Sequence, residues 1–377
     1  MVILIGLIRL MENNISILGI GKLGLCFALN LERSGFKVLG VDLNESYINS
    51  INNKSLTSHE KDVCSLLKFS KNLKATTDLD EALTFSNNLF VFVATPSLQD
   101  GHYDHSQIDN IVERLIERGV QPERKDLIIG CTVMPGYCDQ IQKKLSGYNY
   151  EVSYNPEFIA QGTIIRDQLY PDMILIGSNS EDSAQKISKI YSSMILNSAP
   201  IHVMNRISAE LCKISLNCFI TTKIAFTNMI GDLSTKVGAE PDKILNAIGS
   251  DSRVGSKCMR YGFGYGGPCF PRDNRALGVY AKENDCSIHI SDATDKCNTD
   301  HLQFMIDNFD GAEITLESVT YKPESVMIEE SQQLAYAVGL ARRGVKVTVA
   351  DKPEVIDQVK TIYEDLLNYA KTNDQSI

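Results

Sequence analysis

The chain has 377 residues, enough for two or three domains of ordinary size, and its hydrophobic content of 43% is sufficient for normal globular cores. Lys and Arg number 37 against 47 Asp and Glu, which gives a formal net charge of −10. This composition excludes a wholly disordered chain and disfavours a protein that grips phosphate backbones. We therefore predict no nucleic-acid partner.

The first eleven residues are apolar but resemble neither a membrane span nor a secretion signal. Their run is about half the ~20 residues that cross a bilayer, and Arg9 interrupts it. A basic start and a small-residue cleavage site, typical of signal peptides, are missing. We expect residues 1–11 to form a disordered extension before an internal start at Met11, and we expect no membrane partner.

Ten cysteines are scattered along the chain, and none forms a CxxC pair or a cluster with zinc spacing. This usage fits a reducing compartment better than a disulfide framework. We therefore predict a cytoplasmic protein without a bound metal.

A strand, a glycine-rich turn, a helix and a second strand open the readable part of the chain. Residues 15–18 are apolar and end in GIGKLG (19–24), and residues 37–41 predict a strand that ends at Asp42. Glycines there let the backbone approach a pyrophosphate, and the acid accepts hydrogen bonds from ribose hydroxyls. An acid would repel a 2′-phosphate, so the pattern favours NAD over NADP.

Further strands alternate with helices and predict an α/β protein with a doubly wound parallel sheet. The predicted strands are residues 89–94, 126–130, 150–153 and 173–177. We assign residues 12–205 to an NAD-binding Rossmann domain.

The rest of the chain predicts a long helix and then a shortened domain. Residues 209–237 contain no proline and are apolar on most sides, which favours a long central dimerisation helix in a region 206–300. Strands at 312–319 and 346–351 with a helix between them predict an abbreviated Rossmann-like domain, residues 301–377.

Several polar side chains have the spacing needed for chemistry. Cys269, in GYGGPCFPRD, is followed one helical turn later by Asp273, so a thiol nucleophile could share a helix face with a carboxylate that activates water. Lys213 and Asn217 are also one turn apart and could stabilise an oxyanion. Each also has a structural explanation: a buried cysteine, a lysine that reaches solvent, an asparagine bonded to backbone.

Seven motifs in order resemble the UDP-glucose/GDP-mannose dehydrogenase family, from about residue 14 to about residue 351. They are GIGKLG, VATPS, CTVMPG, NPEFIAQG, AELCKISLN, DSRVG and FGYGGPCFPRDNRAL. The resemblance implies an enzyme that oxidises the C6 alcohol of a UDP-hexose twice, with NAD, to the uronic acid. We expect it to be a homodimer or an assembly of dimers.

The resemblance also implies roles for individual residues. Cys269 would attack the C6 aldehyde and carry a thioester, and Asp273 would support its hydrolysis. The other catalytic residues are an oxyanion-stabilising pair and two residues for water positioning and base chemistry: Lys213, Asn217, Thr132 and Glu157.

The residues expected to bind the cofactor lie at the glycine turn and at strand ends: Gly19, Gly21, Lys22, Leu23, Gly24, Asp42, Thr95 and Thr132. The residues expected to bind substrate are Glu157, Phe158, Ile159, Ala160, Lys213, Asn217, Arg253, Phe263, Gly264, Gly266, Tyr321 and Lys322. Arg253 is expected to reach the sugar nucleotide of the neighbouring subunit, and Lys322, in the segment Tyr321-Lys322-Pro323, to contact substrate.

Three departures from the family pattern bear on activity. Gln161 stands where the family commonly has a glutamate; it cannot carry a proton, so either Glu157 suffices or hydrolysis is slowed. Glu329 stands at or beside a family arginine, and this reversed charge should weaken a phosphate or cofactor contact there. The third domain is short, so UDP binding is less well supported than NAD binding.

Three alternatives stay open from the sequence. One is a UDP-N-acetylhexosamine dehydrogenase, because the contacts to the sugar 2-position are not readable. Another is a degenerate nucleotide-binding homologue with impaired turnover. A third is a hydroxyacid dehydrogenase, which would share the Rossmann unit and long helix but has no use for the cysteine motif.

Overall fold

The structure, a computed structural model, describes residues 13–322 and 325–371. The predicted extension, residues 1–11, lies outside these ranges. The chain divides into two compact units, one up to Lys213 and one from Ile214 onward. The division falls within a helix, and the domain boundaries predicted at residues 205 and 300 stay predictions.

An eight-stranded sheet forms the centre of the first unit, as the strand-and-helix alternation predicts. Its spatial order is β3-β2-β1-β4-β5-β6-β7-β8. The strands are β1 (Asn14–Leu18), β2 (Lys37–Val41), β3 (Leu73–Thr76), β4 (Asn88–Val91), β5 (Lys125–Ile129), β6 (Tyr150–Tyr154), β7 (Ile174–Gly177) and β8 (Ile201–Met204).

One pairing departs from the predicted all-parallel sheet. β6 and β7 run antiparallel and pair through Tyr154 and Gly177, whereas the other neighbours are parallel. The doubly wound α/β fold is confirmed with this one reversed pair.

Helices cover both faces of the sheet because the strands are apolar on both sides. On β4, Phe90 packs into one core with Phe27, while Leu89 and Val91 pack into the other. The helices of the first unit are α1 (Lys22–Arg33), α2 (Glu45–Asn52), α3 (Val63–Phe69), α4 (Leu79–Phe85), α5 (Ser106–Glu117), α6 (Tyr137–Lys144), α7 (Ile164–Leu169) and α8 (Glu181–Met194).

The long predicted helix is present as α9 (Arg206–Val237), which has 32 residues. The second unit continues with α10 (Pro241–Ser250), α11 (Phe270–Glu283), α12 (His289–Asp307), α13 (Gln332–Arg342) and α14 (Pro353–Tyr363), and a short 3₁₀ turn (Glu364–Leu366). In the described ranges, no helix is long and apolar enough to cross a bilayer.

A three-stranded parallel sheet follows in the second unit, in the order β11-β10-β9. Its strands are β9 (Glu313–Leu316), β10 (Lys346–Asp351) and β11 (Asn368–Lys371). Val347 and Val349 of β10 pack with Leu340 of α13 and Val355 of α14 in one small core. This agrees with the small βαβ unit expected there.

Candidate active site

The glycine turn after β1 has the close packing that a dinucleotide site requires. Gly19 has φ +92°, and a Cβ on it would collide with the Phe92 carbonyl. A Cβ on Gly24, inside α1, would collide with the Gly19 carbonyl, so the helix can lie against the turn. Gly21 precedes α1 and has no atom within 4 Å of where its Cβ would lie. The start of α1 is therefore open to an anionic group.

A cleft of about 390 Å³ lies beside this turn and fits the nucleoside part of a dinucleotide. Gly19 and Asp42 line it, together with Leu43, Gln107 and Asn110. The Asp42 carboxylate accepts a hydrogen bond from the Asn44 backbone N–H (3.0 Å), which fixes it at the end of β2. An acid in this place can bind ribose hydroxyls, so the residues fit NAD.

Other residues expected at the cofactor lie around the same edge of the sheet. Lys22 is exposed in the first turn of α1, and Leu23 is partly buried against the core. The Thr95 hydroxyl donates to the Thr132 backbone carbonyl (2.8 Å). This bond ties the loop after β4 to the loop after β5, at the carboxyl ends of two adjacent parallel strands, where ligands bind in such sheets.

Residues 157–163, called the 157–163 segment below, follow β6 and carry four of the expected substrate-binding residues. Lys213 is buried, 7% exposed; its ammonium donates to the Glu157 backbone carbonyl (2.8 Å) and lies 4.3 Å from the centre of the Phe158 ring. Lys213 therefore does not reach for solvent. Ile159 packs against the core, and Ala160 is exposed.

Three more side chains hold the end of the 157–163 segment. Both carboxylate oxygens of Glu60 accept from the Gly162 N–H (2.8 and 2.9 Å), and Asp167 accepts from the Ala160 N–H (2.9 Å). The Lys22 ammonium donates to the Gln161 side-chain carbonyl (3.3 Å). Gln161, the departure from the family pattern, thus has a cationic partner on the glycine turn.

The Glu157 carboxyl has the electrostatics of a proton acceptor. Burial raises its pKa from 4.5 to about 7, opposed by a hydrogen bond from Tyr191, the charge of Lys213 and the Gln168 amide. The Tyr191 hydroxyl donates to Glu157 Oε1 at 2.6 Å. A carboxyl with a pKa near neutrality can both take and give a proton at working pH.

In the second unit, Asn217 and Asp273 are hydrogen-bonded side chain to side chain. Asn217 Nδ2 donates to Asp273 Oδ2 (2.6 Å), and Arg272 Nε donates to Oδ1 (3.1 Å). Asp273 is fully buried, whereas Cys269 is exposed immediately before α11. The Asp273 N–H donates to the Cys269 backbone carbonyl (2.8 Å), which places the two residues in successive turns at the start of α11. That their side chains share one face stays a prediction.

The glycine-rich stretch 261–267 is held by buried side chains of α9 and α12. The Asn228 side chain accepts from the Gly262 N–H (3.2 Å), and His301 Nε2 donates to the Gly262 carbonyl (2.7 Å). Asn298 bonds both the N–H and the carbonyl of Tyr265 (3.0 Å each). This stretch contains Phe263, Gly264 and Gly266, so its backbone is fixed without any ligand.

The glycines of this stretch serve close packing. A Cβ on Gly264 would collide with the Asn298 side chain, and one on Gly266 with the Glu330 carbonyl. The Phe263 ring packs against Tyr336, with centroids 5.8 Å apart.

The remaining expected residues are placed as follows. Arg253 has an 88% exposed side chain and pairs with Asp251 (2.7 Å). Tyr321 lies where a Cβ on Gly267 would collide, and the Lys322 ammonium is 6.0 Å from its ring centre. Pro323 lies outside the described residues.

The Glu329 backbone and the Glu330 side chain both make hydrogen bonds within the second unit. The Glu329 backbone carbonyl accepts from the Gly267 N–H (3.1 Å), and the Glu330 carboxylate pairs with Arg275 through two bonds (2.6 and 2.7 Å). The Glu330 carboxylate therefore fixes α11, whereas Glu329 holds the glycine-rich stretch through its backbone and not through its charge.

Sequence reasoning missed the residues that support these groups: Glu60, Gln168, Tyr191, Asn298 and His301. Their hydrogen-bond partners lie 33 to 138 positions away in the sequence, and each residue sits in a pattern typical of ordinary helix or loop residues. The sequence contains no signal for them.

Comparisons with known proteins agree with these two units. Residues 13–195 match the model of the UDP-glucose/GDP-mannose dehydrogenase family, NAD binding domain, and residues 207–300 match the family's central domain. The expected cofactor, NAD, is thereby confirmed. UDP-glucose 6-dehydrogenase of Rickettsia bellii is 30% identical over 372 residues, which cover 94% of this chain and 85% of that protein.

Solved structures show the same relationship. A UDP-glucose dehydrogenase from the archaeon Pyrobaculum islandicum superposes with a TM-score of 0.85 at 25% identity, covering 95% of this chain and 86% of that one. GDP-mannose dehydrogenase from Pseudomonas aeruginosa gives a TM-score of 0.59 at 27% identity, covering 93% and 84%. The resemblance seen in the motifs is confirmed, and the chain belongs to the UDP-glucose/GDP-mannose dehydrogenase family.

Proposed function

We propose that the protein is an NAD-dependent UDP-sugar 6-dehydrogenase that oxidises the C6 alcohol of UDP-glucose to the carboxylate in two steps. The observation that carries the proposal is the hydrogen bond from Asn217 of α9 to Asp273, which lies in the first turn of α11 directly after Cys269. A simple alcohol dehydrogenase needs neither a nucleophilic thiol nor a hydrolytic carboxylate. Relatives named as UDP-glucose 6-dehydrogenases support the choice of sugar.

In the first oxidation, a base removes the C6 hydroxyl proton as hydride leaves the same carbon. NAD supplies the hydride acceptor for both oxidations, bound at the glycine turn and Asp42. Lys213 and Asn217 stabilise negative charge on the C6 oxygen, because an ammonium and an amide N–H are both donors to an oxyanion. The product of this step is the C6 aldehyde.

In the second oxidation, the Cys269 sulfur attacks the aldehyde carbon and the carbonyl electron pair moves to oxygen, giving a thiohemiacetal. Loss of hydride from this adduct restores the carbonyl as a thioester. A water molecule, positioned by Thr132 and deprotonated by Glu157 with support from Asp273, then attacks the carbonyl. The C–S bond breaks, the thiolate leaves, and the uronate is released. One water is consumed and two hydrides are removed.

The role of Gln161 follows from this assignment. With Glu157 as the base, a glutamine at position 161 is compatible with hydrolysis, because it bonds Lys22 and need not carry a proton. Phe158, Ile159 and Ala160, with Glu157, would contact the sugar. Arg253, the stretch that contains Phe263, Gly264 and Gly266, and the Tyr321-Lys322 pair would contact the nucleotide sugar.

We also propose that the enzyme is a homodimer through α9 and works in the cytoplasm. Five large apolar side chains of α9 are 44% to 69% exposed, and their spacing of seven, three, four and four residues puts them on one stripe. They are Phe219, Phe226, Met229, Leu233 and Val237. None of the ten cysteines, all within the described ranges, is in a disulfide, which supports a reducing compartment.

The test is NAD reduction with a panel of nucleotide sugars: UDP-glucose, UDP-N-acetylglucosamine, UDP-N-acetylmannosamine and GDP-mannose. We expect UDP-glucose to be preferred, with two NADH formed per sugar and the uronate as product. One NADH per sugar, with aldehyde accumulating, would remove the thioester mechanism. Preference for an N-acetylated sugar would identify an N-acetylhexosamine dehydrogenase, and binding without turnover would identify a degenerate homologue.

A further inference from the structure

The Glu157 carboxyl accepts a hydrogen bond from a tyrosine that has no role in the proposed mechanism. Tyr191 lies on α8, is 3% exposed, and packs its ring against Phe27 with centroids 5.8 Å apart. A ring so placed cannot swing away, so its hydroxyl presents a fixed donor to Glu157 Oε1 at 2.6 Å. This length is typical of a hydrogen bond to a carboxylate.

A second side chain of fixed orientation, Gln168, lies near the Glu157 carboxyl. Gln168 of α7 is 2% exposed, and Asn30 of α1 donates to its side-chain carbonyl (3.0 Å), which fixes the orientation of the amide. The Gln168 amide nitrogen makes no hydrogen bond among the described residues, and Gln168 and Glu157 line the same small cavity. Its influence favours the ionised carboxylate and is weaker than that of Tyr191.

The space between Glu157, Gln168 and Tyr191 is too small to admit substrate. A cavity of about 10 Å³ is lined by Asn155, Glu157, Asp167, Gln168 and Tyr191, among others, and is too small for any part of a nucleotide sugar. The ionisable groups that face or border Glu157 are Tyr191 of α8, Lys213 of α9 and Asp167 of α7. Tyr191 therefore acts on Glu157 and not on the ligand.

We propose that Tyr191 is a positioning residue that holds the Glu157 carboxylate in place and in its ionised form for base chemistry. The inference rests on the proposed role of Glu157. A donor to a carboxylate favours the charged state, whereas burial without donors favours the neutral acid. Tyr191 thus limits the upward pKa shift that burial alone imposes on Glu157.

The test is the pH dependence of kcat/KM for the nucleotide sugar in the full-length Tyr191→Phe variant. Phenylalanine keeps the ring and removes only the donor. Since Glu157 must be ionised to act as a base, activity rises with pH through its pKa. Loss of the donor raises the pKa of Glu157. We therefore expect the acidic limb of the kcat/KM pH profile to move to higher pH by about one unit. Activity should fall about tenfold at pH 6 and less than threefold at pH 9.

Two further variants distinguish a positioning role of Tyr191 from a general effect on the structure. Tyr170→Phe removes the hydroxyl of a tyrosine that is 53% exposed, and its profile should match the wild type. Gln168→Met should move the limb in the same direction by a smaller amount, which keeps the test valid if Tyr191→Phe folds poorly. A uniform loss of activity at all pH values, or an unmoved limb in both variants, would overturn the proposal.

A direct titration distinguishes this inference from the proposed function. The Glu157 carboxyl carbon is followed by NMR in protein labelled with ¹³C-glutamate and assigned with Glu157→Gln. We expect a higher Glu157 pKa in Tyr191→Phe than in the wild type, even if no sugar tested is oxidised. An active wild-type enzyme with an unchanged Glu157 titration in the variant would leave the function standing and remove the role of Tyr191.

Discussion

The environment of Cys269 differs from that of two other exposed cysteines, Cys258 and Cys286. Cys269 immediately precedes α11, where the first backbone amides have no partner within the helix and carry partial positive charge. Such a position stabilises a thiolate. Cys258 lies in a turn and Cys286 follows the end of α11, so neither has this support. Of these three thiols, we therefore expect only Cys269 to react with substrate.

Replacement of Cys269 by serine should separate the two oxidations. A hydroxyl is a far weaker nucleophile than a thiol of pKa ~8.5, and any ester formed would hydrolyse slowly. We expect steady turnover to fall by about a thousandfold or more, while thermal stability and NAD affinity stay near wild-type values. Mass spectrometry should detect sugar trapped on residue 269 if the serine adduct forms. Cys258→Ser and Cys286→Ser are matched controls, and wild-type turnover in Cys269→Ser would contradict the thioester mechanism.

At the residue scale, the sequence predicts groups that lie in local motifs and misses those that act at long range. Asp42 and Cys269 are found because their neighbours along the chain define a turn or a helix start. Tyr191 has the spacing of an ordinary core residue of an amphipathic helix, and its bond to Glu157 spans 34 positions. A pairing of this kind follows from the tertiary fold alone.

Among the elements, the 157–163 segment owes its shape to side chains outside it. Glu60 is 5% exposed and accepts from the Gly162 N–H with both carboxylate oxygens, whereas Lys213 binds the carbonyl at the other end of the segment. A loop fixed at both ends loses little conformational entropy when a ligand binds.

Replacement of Glu60 by glutamine should loosen this segment. The amide keeps one acceptor for the Gly162 N–H but brings a donor against the Ile164 N–H, which then loses its partner. We expect the free energy of urea-induced unfolding to fall by about 1–3 kcal/mol and the KM for the nucleotide sugar to rise, with NAD affinity changed less than twofold. Glu113→Gln, at an exposed position of α5, is the control. An unchanged KM would show that the segment does not contact the sugar.

Strands could be predicted from the sequence where they are apolar on both faces, and they were missed where they are short and half polar. β4 and β5 are buried throughout and were predicted. β3, β8 and β11 have four residues each, and most side chains described on β3 and β8 are partly or fully exposed. The antiparallel β6–β7 pair could not be predicted, because strand direction depends on the path of the connection between them.

For the whole molecule, the exposed apolar stripe of α9 makes oligomeric state part of the proposed function. Single exposed apolar residues are common on protein surfaces, but a continuous stripe over five turns is typical of an interface. Its members recur at the spacing of a helix-packing face.

Charged substitutions on this stripe should yield monomers. In Phe226→Glu/Leu233→Glu, two carboxylates would have to be buried against a partner, which costs several kcal/mol. Light scattering should give the mass of a dimer or larger assembly for the wild type and of one chain for the variant. Val120→Glu changes an equally exposed apolar residue outside α9 and should leave the mass unchanged. A monomeric, active wild type would contradict both the dimer and the cross-subunit role of Arg253.

The continuity of α9 restricts how such a chain can evolve. Lys213 and Asn217 lie four residues apart on one unbroken helix, so a single inserted residue between them would rotate one side chain by about 100° relative to the other. Selection would eliminate changes of length there, whereas irregular segments away from the site, such as residues 195–200, can lengthen without this penalty. New sugar preferences should therefore arise by substitution near the helix and by insertion only in the loops.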